Sequence, residues 1–86
     1  MWGVTMLYKV PLLLSPQPEG GFTVTSPLLP ELVTEGDTVD EVLVNVRDAL
    51  AAVVEAYEDL QRPLPSSVVC SDADGPLWLE TIIATP

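Results

Sequence analysis

Two periods of apolar and polar residues divide this chain. Thr5-Met6-Leu7-Tyr8-Lys9-Val10-Pro11-Leu12-Leu13-Leu14 is an apolar run of β-compatible types, too short for a helix of ordinary length. Phe22-Thr23-Val24-Thr25 alternates, which places Phe22 and Val24 on one face of a strand and the threonines on the other. Between them, Ser15-Pro16-Gln17-Pro18-Glu19-Gly20-Gly21 carries the Pro and Gly of a turn, so the two segments form a β-hairpin with a long loop. Pro11 has no N–H to give to a ladder, which leaves a free edge or a bulge there. The Pro-bracketed connection Ser26-Pro27-Leu28-Leu29-Pro30 follows, with Leu28 and Leu29 expected to fold back on the core. Glu31-Leu32-Val33-Thr34-Glu35 reads as a third short strand, ended by Gly36.

After Gly36 the spacing changes. Val39, Val42, Leu43, Val46, Leu50, Val53, Val54, Tyr57 and Leu60 recur at helical steps, with Asp40, Glu41, Arg47, Asp48, Glu55, Glu58 and Asp59 on the other side. Thr38 with Glu41 fits a capping box, and Asp37, Asp40 and Glu41 complement the positive end of the helix dipole. This predicts one amphipathic helix of roughly 24 residues, about 36 Å long, ended by Pro63. Val68-Val69-Cys70 suits a short extended piece, Ser71–Pro76 is a dense turn signal, and Leu77–Ala84 reads as a last strand. The order β-β-β-α-β is an α+β fold: a small, mainly antiparallel sheet covered on one face by one long helix. The other sheet face is then either wet or covered by another subunit.

The 86 residues allow a single domain spanning 1–86, with Met1–Thr5 as a loosely held extension ahead of a second methionine, Met6. Such a small domain buries only about 60–65% of its unfolded surface, which favours self-association. Trp78, Leu12 and Ile82, from the first and last strands, exceed what one helix can cover and are the candidate oligomer contacts of a dimer or tetramer. At 48% hydrophobic residues the chain is too apolar for disorder. No signal peptide pattern and no membrane span are visible, so a soluble, cytoplasmic protein with no membrane partner is expected.

Charge narrows the chemistry. Three basic residues against thirteen acidic ones give −10, which argues against direct nucleic-acid binding. The chain contains no His, so the usual neutral-pH general base and commonest zinc ligand are missing. Cys70 is the single cysteine; nothing adjacent in sequence activates it, and one thiol builds no internal disulfide. A carboxylate-bound Mg²⁺ site needs acids on strand ends, yet the first two strands hold none. Asp72 and Asp74 before Gly75 open like an EF-hand loop but lack its later ligands. Gly20-Gly21 leads into a strand rather than a helix, which suits a turn better than a phosphate cradle. No catalytic, cofactor-binding or metal-binding residue is therefore assigned, and no enzyme activity or cofactor is expected. What remains is surface: Asp40, Glu41, Asp48, Glu55, Glu58 and Asp59 line the helix's outer side, either as a solvating face or as a docking face for a basic partner.

Glu19-Gly20-Gly21-Phe22, Ser26-Pro27-Leu28-Leu29-Pro30, Thr34-Glu35-Gly36-Asp37-Thr38-Val39-Asp40-Glu41 and then Asn45, in that order, resemble the HicB-like antitoxin domain over roughly Leu7 to Gln61. The resemblance implies a partial RNase H-like fold without catalytic carboxylates, assembly into dimers or larger oligomers, and binding to a small basic RNase toxin of the HicA type, whose catalytic His it masks. Glu31 stands where that family usually has Gly, and Val42 where it usually has Ala. Many members add a C-terminal DNA-binding module, and none is expected within these 86 residues. The expected function is thus a non-enzymatic, antitoxin-type inhibitor. An orphan oligomeric scaffold or small-ligand-binding domain is the alternative that the same residues allow.

Overall fold

A computed structural model of the chain describes residues 7–70 together with Pro76, Glu80, Thr81 and Thr85. The elements are β1 (Leu7–Tyr8), β2 (Leu13–Pro16), β3 (Phe22–Thr25), β4 (Val33–Gly36), α1 (Val39–Asp59) and β5 (Val69–Cys70). β2, β3 and β4 form an antiparallel three-stranded sheet in chain order, and β1 pairs antiparallel with β5 in a separate two-stranded one. With one long helix, this is the expected α+β class.

The first apolar run is two strands, not one. Lys9 N–H donates to the Val68 carbonyl at 2.7 Å, extending the β1–β5 pairing. Pro11 then interrupts, having no donor for a ladder. Pairing resumes at Leu13 on a different partner, β3. The turn between β2 and β3 closes with Gln17 N–H donating to the Gly21 carbonyl and Gly20 N–H to the Gln17 carbonyl, both at 3.0 Å. Gly20 and Gly21 adopt φ of 104° and 78°, a region that side chains disfavour. Sequence spacing anticipated both the hairpin and its glycines.

Register decides which side chains meet the helix. Leu14, Val24 and Thr34 stand side by side across the sheet, as do Pro16, Phe22 and Gly36. Val24 is fully buried, and Leu14 and Phe22 pack against the same core. The helix contributes Val42, Val46, Val53 and Tyr57 to that core. These four lie on one narrow stripe of a helix turning about 100° per residue. Leu29, Leu32 and Val68 complete the core from the loops on either side. A β-carbon on Gly36 would lie 2.8 Å from the Val42 amide nitrogen and 2.9 Å from Val42 Cγ2, so only glycine lets β4 pass so close to the first turn of α1.

Both helix ends are closed by the chain itself. Thr38 Oγ1 accepts from the Glu41 N–H at 3.1 Å, and Glu41 Oε1 accepts from the Asp37 N–H at 3.2 Å. The reciprocal arm thus reaches one residue further back than in the usual capping box. At the other end the helix stops after 21 residues, short of the expected 24 or so. Its terminator is local geometry ahead of Pro63. Arg62 N–H donates to the Tyr57 carbonyl and Gln61 N–H to the Glu58 carbonyl, with Gln61 at φ 55°. This is a Schellman motif with glutamine where glycine is usual.

Other expectations are corrected. The third strand begins at Val33, not Glu31, because Leu32 N–H turns back to the Leu29 carbonyl at 2.9 Å. Leu29 is buried as expected, but Leu28 is exposed. Leu43 and Leu60, both counted in the apolar helix stripe, are exposed as well: Leu43 projects from the side of the helix and Leu60 lies past its last turn. The expected loose extension Met1–Thr5 lies outside the described residues, and so does the expected strand 77–84 apart from Glu80 and Thr81.

The Gln61 conformation yields a stability test. Removing its side chain relieves about 1–2 kcal/mol of left-handed strain, against roughly 0.5–1 kcal/mol of added unfolded-state entropy. Gln61→Gly is therefore expected to stabilise the fold by about 0.5–1 kcal/mol and to raise Tm by several degrees in thermal unfolding. An unchanged or lower Tm would contradict the Schellman assignment.

Candidate partner-binding surfaces

Among the described residues, the outer side of α1 gathers six carboxylates. Asp40, Glu41, Asp48, Glu55, Glu58 and Asp59 are all exposed. At about 100° per residue they occupy a sector of roughly 100°, centred opposite the buried stripe Val42–Val46–Val53–Tyr57. All six residues assigned from sequence as partner contacts are thus gathered on one face, with Arg47 at its edge the helix's single basic residue. Such a field steers a cationic partner and orients its approach. The same face carries Val44, 58% exposed, while Leu43, 48% exposed, projects from the side of the helix about 100° away from it.

The sheet offers a second surface with the opposite character. Leu13, Thr25 and Val33 are neighbours across the three strands, on the side away from α1. Leu13 is 59% and Val33 60% exposed. The next row is Ser15, Thr23 and Glu35. This face therefore holds the threonines that alternation placed there, two exposed aliphatic groups and one carboxylate. Of the three oligomer candidates, Leu12 is half-buried, packs against the core and lines a shallow cleft of about 450 Å³ with Pro11, Leu13, Thr25, Ser26 and Pro27. Trp78 and Ile82 lie outside the described residues. Leu13 and Val33 are not among the residues that the sequence pattern singles out. In the unbroken run Leu12-Leu13-Leu14 no polar residue marks the alternation, so only strand register shows which leucine faces outward.

The residues of the motif-bearing segments join the helix to the sheet. Asn45 Nδ2 donates to the Glu35 carbonyl at 2.7 Å, fixing the second turn of α1 against β4. Glu35, Asp37, Glu41 and Asn45 border a polar cleft of about 310 Å³ beside the Gly20-Gly21 turn. Among the described residues no group of three His, Cys, Asp or Glu side chains is placed to hold a metal ion. No helix among them is long and apolar enough to cross a membrane.

Glu31 and Tyr57 tie the Pro-bracketed connection to the end of α1. Tyr57 Oη donates to Glu31 Oε1 at 2.8 Å, and the Arg62 guanidinium lies 5.0 Å from the centre of the Tyr57 ring. Glu31 is held below the usual glutamate value, first by a bond from its own backbone amide, then by the tyrosine hydroxyl, with a smaller pull from Arg62. The same bond to Glu31 pushes the Tyr57 hydroxyl above the usual tyrosine value, since the phenolate would lose it. Glu31, the departure from the resembled family's glycine, thus has a partner in this chain.

No family model matches the chain. It is similar to individual proteins, however. It is 42% identical over 71 residues, 80% of this chain and 46% of the relative, to a protein named Antitoxin HicB 1 from Photorhabdus laumondii. It is 39% identical over 66 residues, 74% of this chain and 48% of the relative, to Antitoxin HicB of Escherichia coli K12. A third relative, UPF0150 protein Ta0767 of Thermoplasma acidophilum, is 28% identical over 57 residues, 66% of this chain and 83% of that protein. The chain spans about half the length of these two antitoxins.

The Glu31 contacts set a pH dependence. Because its folded pKa is lowered, Glu31 adds stability above its unfolded value and loses that contribution as pH falls through the folded one. In a carboxyl-carbon NMR titration, Glu31 is expected below a free glutamate peptide. Tyr57→Phe is expected to raise its midpoint without restoring the peptide value, since the backbone bond persists. An unchanged midpoint in Tyr57→Phe would contradict the tyrosine contact.

Proposed function

We propose, from its similarity to two HicB antitoxins, that the chain is a HicB-like antitoxin of a toxin–antitoxin pair, a non-enzymatic protein that binds and neutralises a small basic RNase of the HicA type. The similarity to two HicB antitoxins over 74–80% of the chain carries the proposal. The physical arrangement supports it. A nuclease that grips RNA needs cationic surface, and α1 presents six carboxylates on one exposed face to meet it. Inhibition then works by occupation: the acid face competes with phosphate for the toxin's basic groups and shields its catalytic residues from RNA. The chain itself needs no nucleic-acid contact and no cofactor for this. A cytoplasmic location follows from the same role, since the toxin's substrate is there.

The sheet face completes the proposal with a homo-oligomer. Two copies of a −10 chain repel each other most strongly through their helices. The face around Leu13 and Val33 carries little charge, and pairing there leaves each acid face outward and free.

Co-expression with the small basic RNase toxin proposed as its partner tests the function. The wild-type chain is expected to restore growth, and the double variant Asp48→Lys/Glu55→Lys, altered only at exposed helix positions, to lose most of that rescue. Rescue at full strength by the double variant would overturn the acid face as the inhibitory surface, and no rescue by the wild type would overturn the antitoxin reading. In sedimentation at micromolar concentration the wild type is expected as a dimer or tetramer and Leu13→Lys as a smaller species. A wild-type monomer would remove the oligomer.

A further inference from the structure

We propose that Val44, on the first half of α1 and flanked by Leu43 on the side of the helix, is the apolar anchor of the partner-binding face. The partner it fits is a cationic protein surface bearing an exposed aliphatic or aromatic side chain among its Lys and Arg residues. This rests on the reading of α1 as the partner-binding face, and it narrows that face to one half of the helix.

The position of Val44 is the motivating observation. It points away from the core, 58% exposed, among residues that are otherwise charged or small. Valine is one of the poorer helix formers, because its branched β-carbon loses rotamer freedom against the preceding turn. Neither helix preference nor core packing accounts for it there. Leu43, at 48% exposure, extends the same apolar spot sideways. Positions where local preference and the fold disagree are where function is to be sought.

The surroundings specify the partner. Residues three and four positions from Val44 are Asp40, Glu41, Arg47 and Asp48, its neighbours on the helix surface. Three carboxylates therefore ring the apolar spot. Interfaces concentrate their binding energy in a desolvated anchor and leave orientation and encounter rate to the charges around it. A pure polycation meets the acids but leaves Leu43 and Val44 in water, and a neutral apolar surface strands the acids without counter-charge. A cationic surface with one apolar knob satisfies both. The second half of α1 lacks this combination. Its Glu55, Glu58 and Asp59 stand among Ala51, Ala52 and Ala56, so it supplies field without an anchor.

Two short lysine-rich peptides of equal charge, one with a central tryptophan and the other with glycine in its place, test this by NMR titration of the full ¹⁵N-labelled chain. The tryptophan peptide is expected to bind about tenfold more tightly, a difference of about 1.4 kcal/mol, with shifts centred on residues 40–48. Val44→Ser, at an exposed position that leaves the core intact, is expected to erase that difference, whereas Glu55→Gln/Glu58→Gln weakens both peptides alike and preserves it. Equal affinities, or shifts centred on residues 55–59, would overturn the anchor. The antitoxin reading is judged separately by growth rescue, so rescue by the wild type alongside equal peptide affinities would sink the anchor alone.

Discussion

The close approach of β4 to the first turn of α1 is the constraint on which the rest of the molecule depends. Gly36 leaves no room for a β-carbon against Val42, and Asn45 binds the Glu35 carbonyl one turn further on. Thr38 and Glu41 close the helix start between these two contacts. The helix is thereby fixed in rotation as well as position: Val42, Val46, Val53 and Tyr57 must face Val24 and its neighbours. Once that rotation is set, the side opposite the core has to carry whatever lies half a turn away, and in this sequence that is carboxylate. A bulky residue at position 36 would disturb the core and the outer face together.

One helix on a small sheet leaves two surfaces with different physics. The helix collects charge, which acts over about a Debye length and governs encounter. The exposed sheet face collects aliphatic and hydroxyl groups, which act only on contact. In the proposed oligomer this separation keeps the helix carboxylates, whose unpaired desolvation is costly, away from the contact, with Glu35 the one carboxylate on the sheet face. The proposed inhibition asks nothing more of the protein than this separation, held rigid by the core between the two faces.

Much of this was legible in the sequence because it rests on local spacing. The Thr38–Glu41 start, the amphipathic stripe and the Gly20-Gly21 turn each depend on residues within one or two turns of chain, and all three are found. Features set by longer-range contact were less legible. Leu12, Leu13 and Leu14 are indistinguishable as a run, and only pairing with β3 sends Leu13 outward. The start of β4 moved because Leu32 turns back on Leu29 while Tyr57, 26 residues from Glu31, holds the latter's carboxylate. The helix end was read from Pro63, yet glutamine adopts the left-handed conformation two residues earlier. Glutamine gives no sequence signal for that role. For the candidate surface, the six acids were legible from periodicity, and the same periodicity sets Val44 among them, although valine is a type that signals core rather than surface.

The central claim is that this chain works through the electrostatic field of one helix face directed at a cationic protein. The most direct measurement is the association rate constant with the small basic toxin proposed as its partner, as a function of salt. Steered association falls steeply with ionic strength, while dissociation changes little. A fast rate at low salt that drops by roughly tenfold or more toward 1 M salt is the result expected. A rate constant that stays flat across that range would show that the acid face plays no part in recognition.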